Sequence, residues 1–264
     1  MKEKWVVANW KMNLGLMASA KLAKVISKKF SDTSWIGRNL KKENQVHAVV
    51  APSHTAILEV AKFLMKSPIT IAAQDMFWLE RGAYTGEISP LMLLEIGVDY
   101  VIIGHSERRK NLGETDEIVN KKIRAAVHYG LIPLLCVGET LDERLDGSKE
   151  HVVLKQVEKA FENVKPPQES TIMIAYEPVW AIGTGNPVAC KDVFEMHSLI
   201  KQHLYDIFPE TFVNHNIKIL YGGSVNAENV GSFTGLSNVD GVLVGGASLK
   251  SKDFLNIVKE VKKS

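Results

Sequence analysis

Eight short apolar runs recur along the chain: WVVANW (5–10), HAVVAP (47–52), TIAAQD (70–75), YVIIGH (100–105), IPLLCVGE (132–139), IMIAYEP (172–178), IKILYGG (217–223) and GVLVGG (241–246). Their apolar portions are continuous rather than alternating, which suits strands covered on both faces. Between them lie segments with helical spacing, such as Leu22, Val25, Ile26 and Phe30, then Val153, Leu154, Val157 and Phe161, then Val193, Met196, Leu199 and Ile200. Strands that alternate with helices predict parallel βα units. An open doubly wound sheet has about five or six strands, whereas a closed barrel takes eight in roughly 250 residues. The count therefore predicts a (β/α)8 barrel, one catalytic domain spanning residues 1–264. No linker, low-complexity tract or composition break divides it. Residues 31–45 read as a polar surface excursion between the first helix and the second strand, and Pro166-Pro167 as a helix stop before the sixth strand.

Totals narrow the class of function. Apolar residues make up 45% of the 264, charged residues 23%, and the formal net charge is +2. This is ordinary globular usage, and the charge is too small to argue for nucleic acid. It would suit an anionic small molecule. No stretch approaches the roughly 20 apolar residues of a membrane span, and MKEKWVVANW lacks the apolar core of a secretion signal. Two cysteines, Cys136 and Cys190, give neither a disulfide framework nor a metal-ligand cluster. A cytoplasmic protein with no metal and no cofactor is the expectation.

The polar residues gather where the runs end: Asn9 and Lys11 after the first, Gln74 and Asp75 after the third, His105 and Glu107 after the fourth, Cys136 and Glu139 at the fifth, Glu177 after the sixth. Glycines end the last two, in YGGSV and VGGAS. In a parallel barrel these ends share one rim, where barrel enzymes place their chemistry. Glu177 at an apolar mouth loses hydration, so its pKa is expected to rise, making it a base suited to neutral pH. Pro178 fixes φ immediately after it. His105 precedes a helix start for which Ser106 is the expected N-cap, and positive partial charge there favours a neutral imidazole. Lys11 supplies a fixed cation, with Asn9 two residues away on the same side of its strand. Glycine loops permit backbone N–H groups to cradle an anion, and the seventh and eighth loops are where barrels hold phosphate. Base, neutral electrophile, cation and cradle together suggest proton transfer beside the carbonyl of a small phosphorylated compound.

The motifs NWKMN (9–13), IIGHSERR (102–109), GETDEIVNKK (113–122), CVGET (136–140), YEPVWAIGTG (176–185), YGGSV (221–225) and LVGGASL (243–249) resemble those of the triosephosphate isomerase family, in order and over nearly the whole chain. The resemblance implies the (β/α)8 barrel known by that enzyme's initials, and a glycolytic and gluconeogenic isomerase. It implies Glu177 as the base, His105 as the neutral electrophile, and Lys11 with Asn9 as electrostatic partners of the substrate. Gly183, Ser224, Gly245 and Gly246 would donate to phosphate. Glu107 would hold Lys11, Cys136 would pack nearby, and Ile182 with Leu243 would clamp Glu177. AIGTG resembles a lid that shields the enediolate intermediate from water, with Trp180 reaching Glu139 at its hinge. GAYTGEIS (82–89) resembles the arm of a homodimer, with Thr85 touching the partner subunit.

Three stretches depart from the family pattern: Asn186-Pro187-Val188 after the lid, Asp75 where Asn is usual, and the length of 31–45. A buried Asp75 would need a partner or a raised pKa. The departures keep open an isomerase of a four-carbon ketose phosphate such as L-erythrulose 1-phosphate. A barrel that binds a phosphorylated ligand without turnover would be expected to lose the base or the electrophile, and both are present.

Overall fold

The computed structural model describes residues 3–32, 45–182 and 188–264. Eight parallel strands close into a barrel in chain order, and β1 meets β8. They are β1 (Lys4–Asn9), β2 (Val46–Ala51), β3 (Thr70–Ala73), β4 (Tyr100–Ile103), β5 (Ile132–Val137), β6 (Ile172–Tyr176), β7 (Ile217–Tyr221) and β8 (Gly241–Val244). Every strand begins within a residue of its expected place, but ends earlier than its apolar run suggests. Asn9 and Cys136 are paired in the ladder, but the other polar and glycine residues lie beyond it in rim loops. The described helices are α1 (Leu16–Asp32), α2 (Ile57–Leu64), α3 (Pro90–Glu95), α4 (Ser106–Leu112), α5 (Asp116–Tyr129), α6 (Leu141–Leu145), α7 (Lys149–Ala160), α8 (Cys190–Ile207), α9 (Glu210–Asn216), α10 (Val230–Thr234) and α11 (Ser251–Lys263). The supposed excursion at 31–45 begins with the last two residues of α1; residues 33–44 lie outside the described residues. Helix α7 stops at Ala160, well before Pro166, with Asn163 left-handed at φ 58° in the turn that follows.

Strand parity sorts the core into two layers. Trp5, Val7, Val49, Ile102, Leu134, Met173, Ala175 and Leu243 fill the barrel interior. Their neighbours, among them Val6, Val50, Val101, Leu135, Ile174 and Val242, face outward onto the helices. The two-residue period makes position decisive. Continuing Trp5-Val7 inward gives Asn9, and continuing Met173-Ala175 gives Glu177. Both side chains are therefore delivered to the open end of a packed interior.

A histidine is sealed between helix and sheet. His197 on α8 is fully buried, and its Nδ1 donates to the Asn238 carbonyl at 3.1 Å. Burial drives its pKa down from 6.5 to about 4; Lys4 adds to the fall, and the Asn238 bond opposes it. The unfolded chain then binds the extra proton between those two values. Stability should be complete above pH 6.5 and fall as pH drops toward 4. At pH 5 the loss expected from this residue is about 2 kcal/mol. His197→Asn keeps a donor for the carbonyl and removes the titration. Urea unfolding at pH 7 and pH 5 should show a smaller acid loss in the variant; an equal loss would assign the acid sensitivity elsewhere.

Candidate active site

The rim of the barrel gathers Asn9, Lys11, His105, Glu177, Leu243 and Gly245 around a cavity of about 300 Å3. Ser224, Gly246 and Ile182 also line it, as do Val225 and Asn226, which the sequence did not single out. Gly183, Asn186 and Pro187 lie outside the described residues.

Lys11 is held in an uncommon backbone conformation, left-handed at φ 51°. That region costs a residue with a Cβ roughly 1–2 kcal/mol. Its surroundings fix it on both sides. The Lys11 N–H donates to Asn9 Oδ1 at 3.0 Å, and its carbonyl accepts from Gln74 Nε2, also at 3.0 Å. Gln74 donates in addition to the Ala51 carbonyl, tying the first loop to β2. The ammonium then meets Glu107 Oε1 at 2.7 Å and passes over Gly245, where a Cβ would lie 3.3 Å from Lys11 Cε.

His105 follows Gly104, whose φ of 73° turns the chain off β4 into α4. The cap of α4 differs from expectation. His105 itself is the N-cap, its Nδ1 accepting from the Glu107 N–H at 3.2 Å, and Ser106 is the first helical residue. A backbone N–H can only donate, so Nδ1 is the acceptor and Nε2 carries the proton. Nε2 faces Glu177 Oε1 at 3.1 Å. Ser106 contributes differently, its N–H donating to Glu177 Oε2 at 3.2 Å.

Glu177 is 3% exposed and packed against two glycines. A Cβ on Gly138 would lie 1.7 Å from its carbonyl oxygen, and one on Gly222 would lie 2.8 Å from its Cγ. Sequence reading missed both positions as supports; glycine beside a strand end was the available signal.

The pKa of Glu177 departs from expectation. Burial pushes it up. The neighbouring imidazole, its hydrogen bond, the Ser106 N–H and the Lys11 ammonium together push harder downward, leaving the carboxyl below its usual range. For His105, burial is the largest influence and pulls downward, but the charge and hydrogen bond of Glu177 together with the charge of Glu107 outweigh it, so its pKa stands above the ordinary value while these groups are in contact. The bond to Nδ1 opposes protonation, and neutral Nε2–H is the form the geometry accommodates. Cys136 lies inside β5 rather than at its end, fully buried; burial and Glu177 raise its thiol well above the usual range, so it remains protonated.

A second polar group joins β5 to the start of the lid segment. Trp180 Nε1 donates to Glu139 Oε1 at 2.8 Å, and Tyr176 Oη donates to the same oxygen at 3.2 Å. Burial raises the pKa of Glu139 despite these bonds. Arg144, which sequence reading missed, lies 4.5 Å from the Trp180 ring centre and reaches Asp192 Oδ2 at 2.6 Å. The Ser224 hydroxyl donates to the Ala181 carbonyl at 2.9 Å. Thr85 is exposed on its loop and lines no part of this cavity. Asp75 is buried with both remedies in place. It meets Lys122 at 2.6 Å and Arg108 at 2.9 Å, and burial still holds its pKa above the usual value.

Fold and site define the class: a (β/α)8 barrel that sets a carboxylate, an imidazole and an ammonium around one glycine-walled recess. The family profile described as Triosephosphate isomerase matches residues 4–261. A relative named Triosephosphate isomerase from Dictyoglomus thermophilum is 44% identical over 98% of this chain and 100% of its own length. Those of the same name from Thermoanaerobacter pseudethanolicus and Borreliella burgdorferi are 42% and 44% identical, over 98% and 99% of this chain and 99% and 100% of their own lengths. The chain belongs to the triosephosphate isomerase family.

The contact between base and imidazole can be read directly. Glu177→Gln removes the charge that holds His105 up, so the imidazole pKa should fall. A ring-proton NMR titration unchanged by the substitution would mean that the two side chains do not meet in solution.

Proposed function

We propose that this protein interconverts dihydroxyacetone phosphate and D-glyceraldehyde 3-phosphate through an enediolate. The observation that carries the reading is the 3.1 Å approach of Glu177 Oε1 to His105 Nε2 in a recess that also holds Lys11. The substrate carbonyl takes the Nε2–H that Glu177 otherwise accepts. Glu177, released from imidazole and Ser106, removes a proton from one carbon and returns it to the next. Losing the groups that stabilise its charge raises its basicity at that moment. Lys11 stabilises negative charge on the enediolate oxygen, assisted by Asn9. Backbone N–H groups at Ser224, Gly245 and Gly246, with Gly183, receive the phosphate. Ile182 and Leu243 exclude water from the carboxylate, which protects the intermediate and keeps the base strong. Glu107 fixes Lys11, and the Trp180–Glu139 bond anchors the start of the lid.

The site is proposed to work in a cytoplasmic homodimer, with Thr85 of each arm reaching the neighbouring subunit. Exposed Met12 on the first loop and Met17 at the start of α1, with Leu79 and Tyr84 on the third loop, support an apolar contact there. The relatives carry the three-carbon name, which favours that substrate over a four-carbon ketose phosphate.

Turnover should be measured on glyceraldehyde 3-phosphate and L-erythrulose 1-phosphate side by side, with the triose far superior; a superior tetrulose would overturn the substrate while leaving the proton chemistry. Glu177→Gln should lower kcat by at least ~10²–10⁴, and an almost unchanged rate would remove Glu177 from the role of base. Deleting residues 82–87 should give monomers by light scattering, and a persistent dimer would refute the arm.

A further inference from the structure

A larger recess lies on the outside of the barrel, away from the site. It is an open depression of about 590 Å3 between helix α5, the turn after α7 and Trp78, and shares no lining residue with the reaction cavity. Lys121, Arg124 and His128 stand on α5 at spacings of three and four, so one face of the helix carries all three. Lys165 faces them from a turn that the left-handed Asn163 makes possible. No carboxylate lines the recess. Among the described residues, the charges of Lys121, Arg124 and Lys165 meet no acid in an ion pair.

The walls add aromatic surface. Trp78 is half-buried and backed by Phe77 at a ring separation of 3.9 Å. Its other neighbour is the Lys121 ammonium, 5.2 Å from the ring centre. Tyr129 and His128 pack edge to face, 4.8 Å apart. An ammonium over an indole is a mobile partner, easily drawn to a stronger anion, and its departure would free the ring face for a planar base. Arg124 offers a planar fork suited to phosphate oxygens. The volume lies within the roughly 300–1,000 Å3 usual for small-ligand pockets.

We propose that this recess binds a nucleoside di- or triphosphate, its phosphates on Lys121, Arg124 and Lys165 and its base against Trp78 and Tyr129. The test titrates the full-length protein with ATP by calorimetry at low salt, alongside inorganic triphosphate and adenosine. ATP should bind, and each fragment should bind more weakly. Arg124→Glu with Lys165→Glu, both on exposed side chains, should weaken ATP by at least about tenfold, the loss expected when charged contacts are reversed. Circular dichroism and isomerase turnover should be unchanged in that variant. Lys11→Met, which disables anion binding at the reaction cavity, should leave ATP affinity as it was. Absence of ATP binding would overturn the proposal. So would affinity unaffected by the double reversal, affinity lost in Lys11→Met, or triphosphate binding as tightly as ATP.

Discussion

Closure of the parallel ladder is the constraint on which the rest depends. When β1 pairs with β8, no strand edge remains, and all eight C-terminal ends meet on a single rim. Residues separated by as much as 238 positions, Asn9 and Ala247, come to line one cavity. An open sheet would spread the same ends along a line. The interior is packed by side chains rather than hollow, so the rim has a floor, made by residues such as Leu243 and Cys136. That floor denies the carboxylate its hydration.

The site is held by backbone as much as by side chains. Lys11 occupies a disfavoured conformation because Asn9 and Gln74 bond both of its peptide groups. Glu177 is confined by the absence of side chains at Gly138 and Gly222, where any Cβ would collide with it. His105 is oriented by the N–H of a helix that it caps with its own ring. Local contacts, Asn9 to Lys11 and Glu107 to His105, are joined by longer ones, from Gln74 and Glu107 to Lys11. No functional group depends on a long flexible side-chain contact alone.

The fold was legible because unbroken apolar runs and their number leave few parallel architectures available. Asn9 and Glu177 were legible for a related reason: strand parity carries both onto the interior face. The strand ends were less so, since hydropathy does not record where a ladder stops, and the runs through Gly138 and Gly223 continue past it. The cap of α4 was misread because serine is the commoner cap, whereas a ring nitrogen of His105 took the bond. The pKa of Glu177 was expected to rise because burial alone can be inferred from sequence. The opposing influence comes from His105 and Ser106, 72 and 71 positions away, whose contact with the carboxylate is a fact of three dimensions. Arg144 gave no signal, as an arginine in LDERL reads as an exposed helix residue.

The resting place of Glu177 has a further consequence. Its two oxygens occupy the Nε2–H of His105 and the N–H of Ser106. These two donors are therefore not bare; the protein's own carboxylate occupies them. On the proposed reaction, binding is an exchange in which an arriving oxygen displaces a tethered one, and departure is the reverse. Stray anions must outcompete a group that is always present at high local concentration. A ligand that reaches the glycine walls as well has a second foothold from which to evict it.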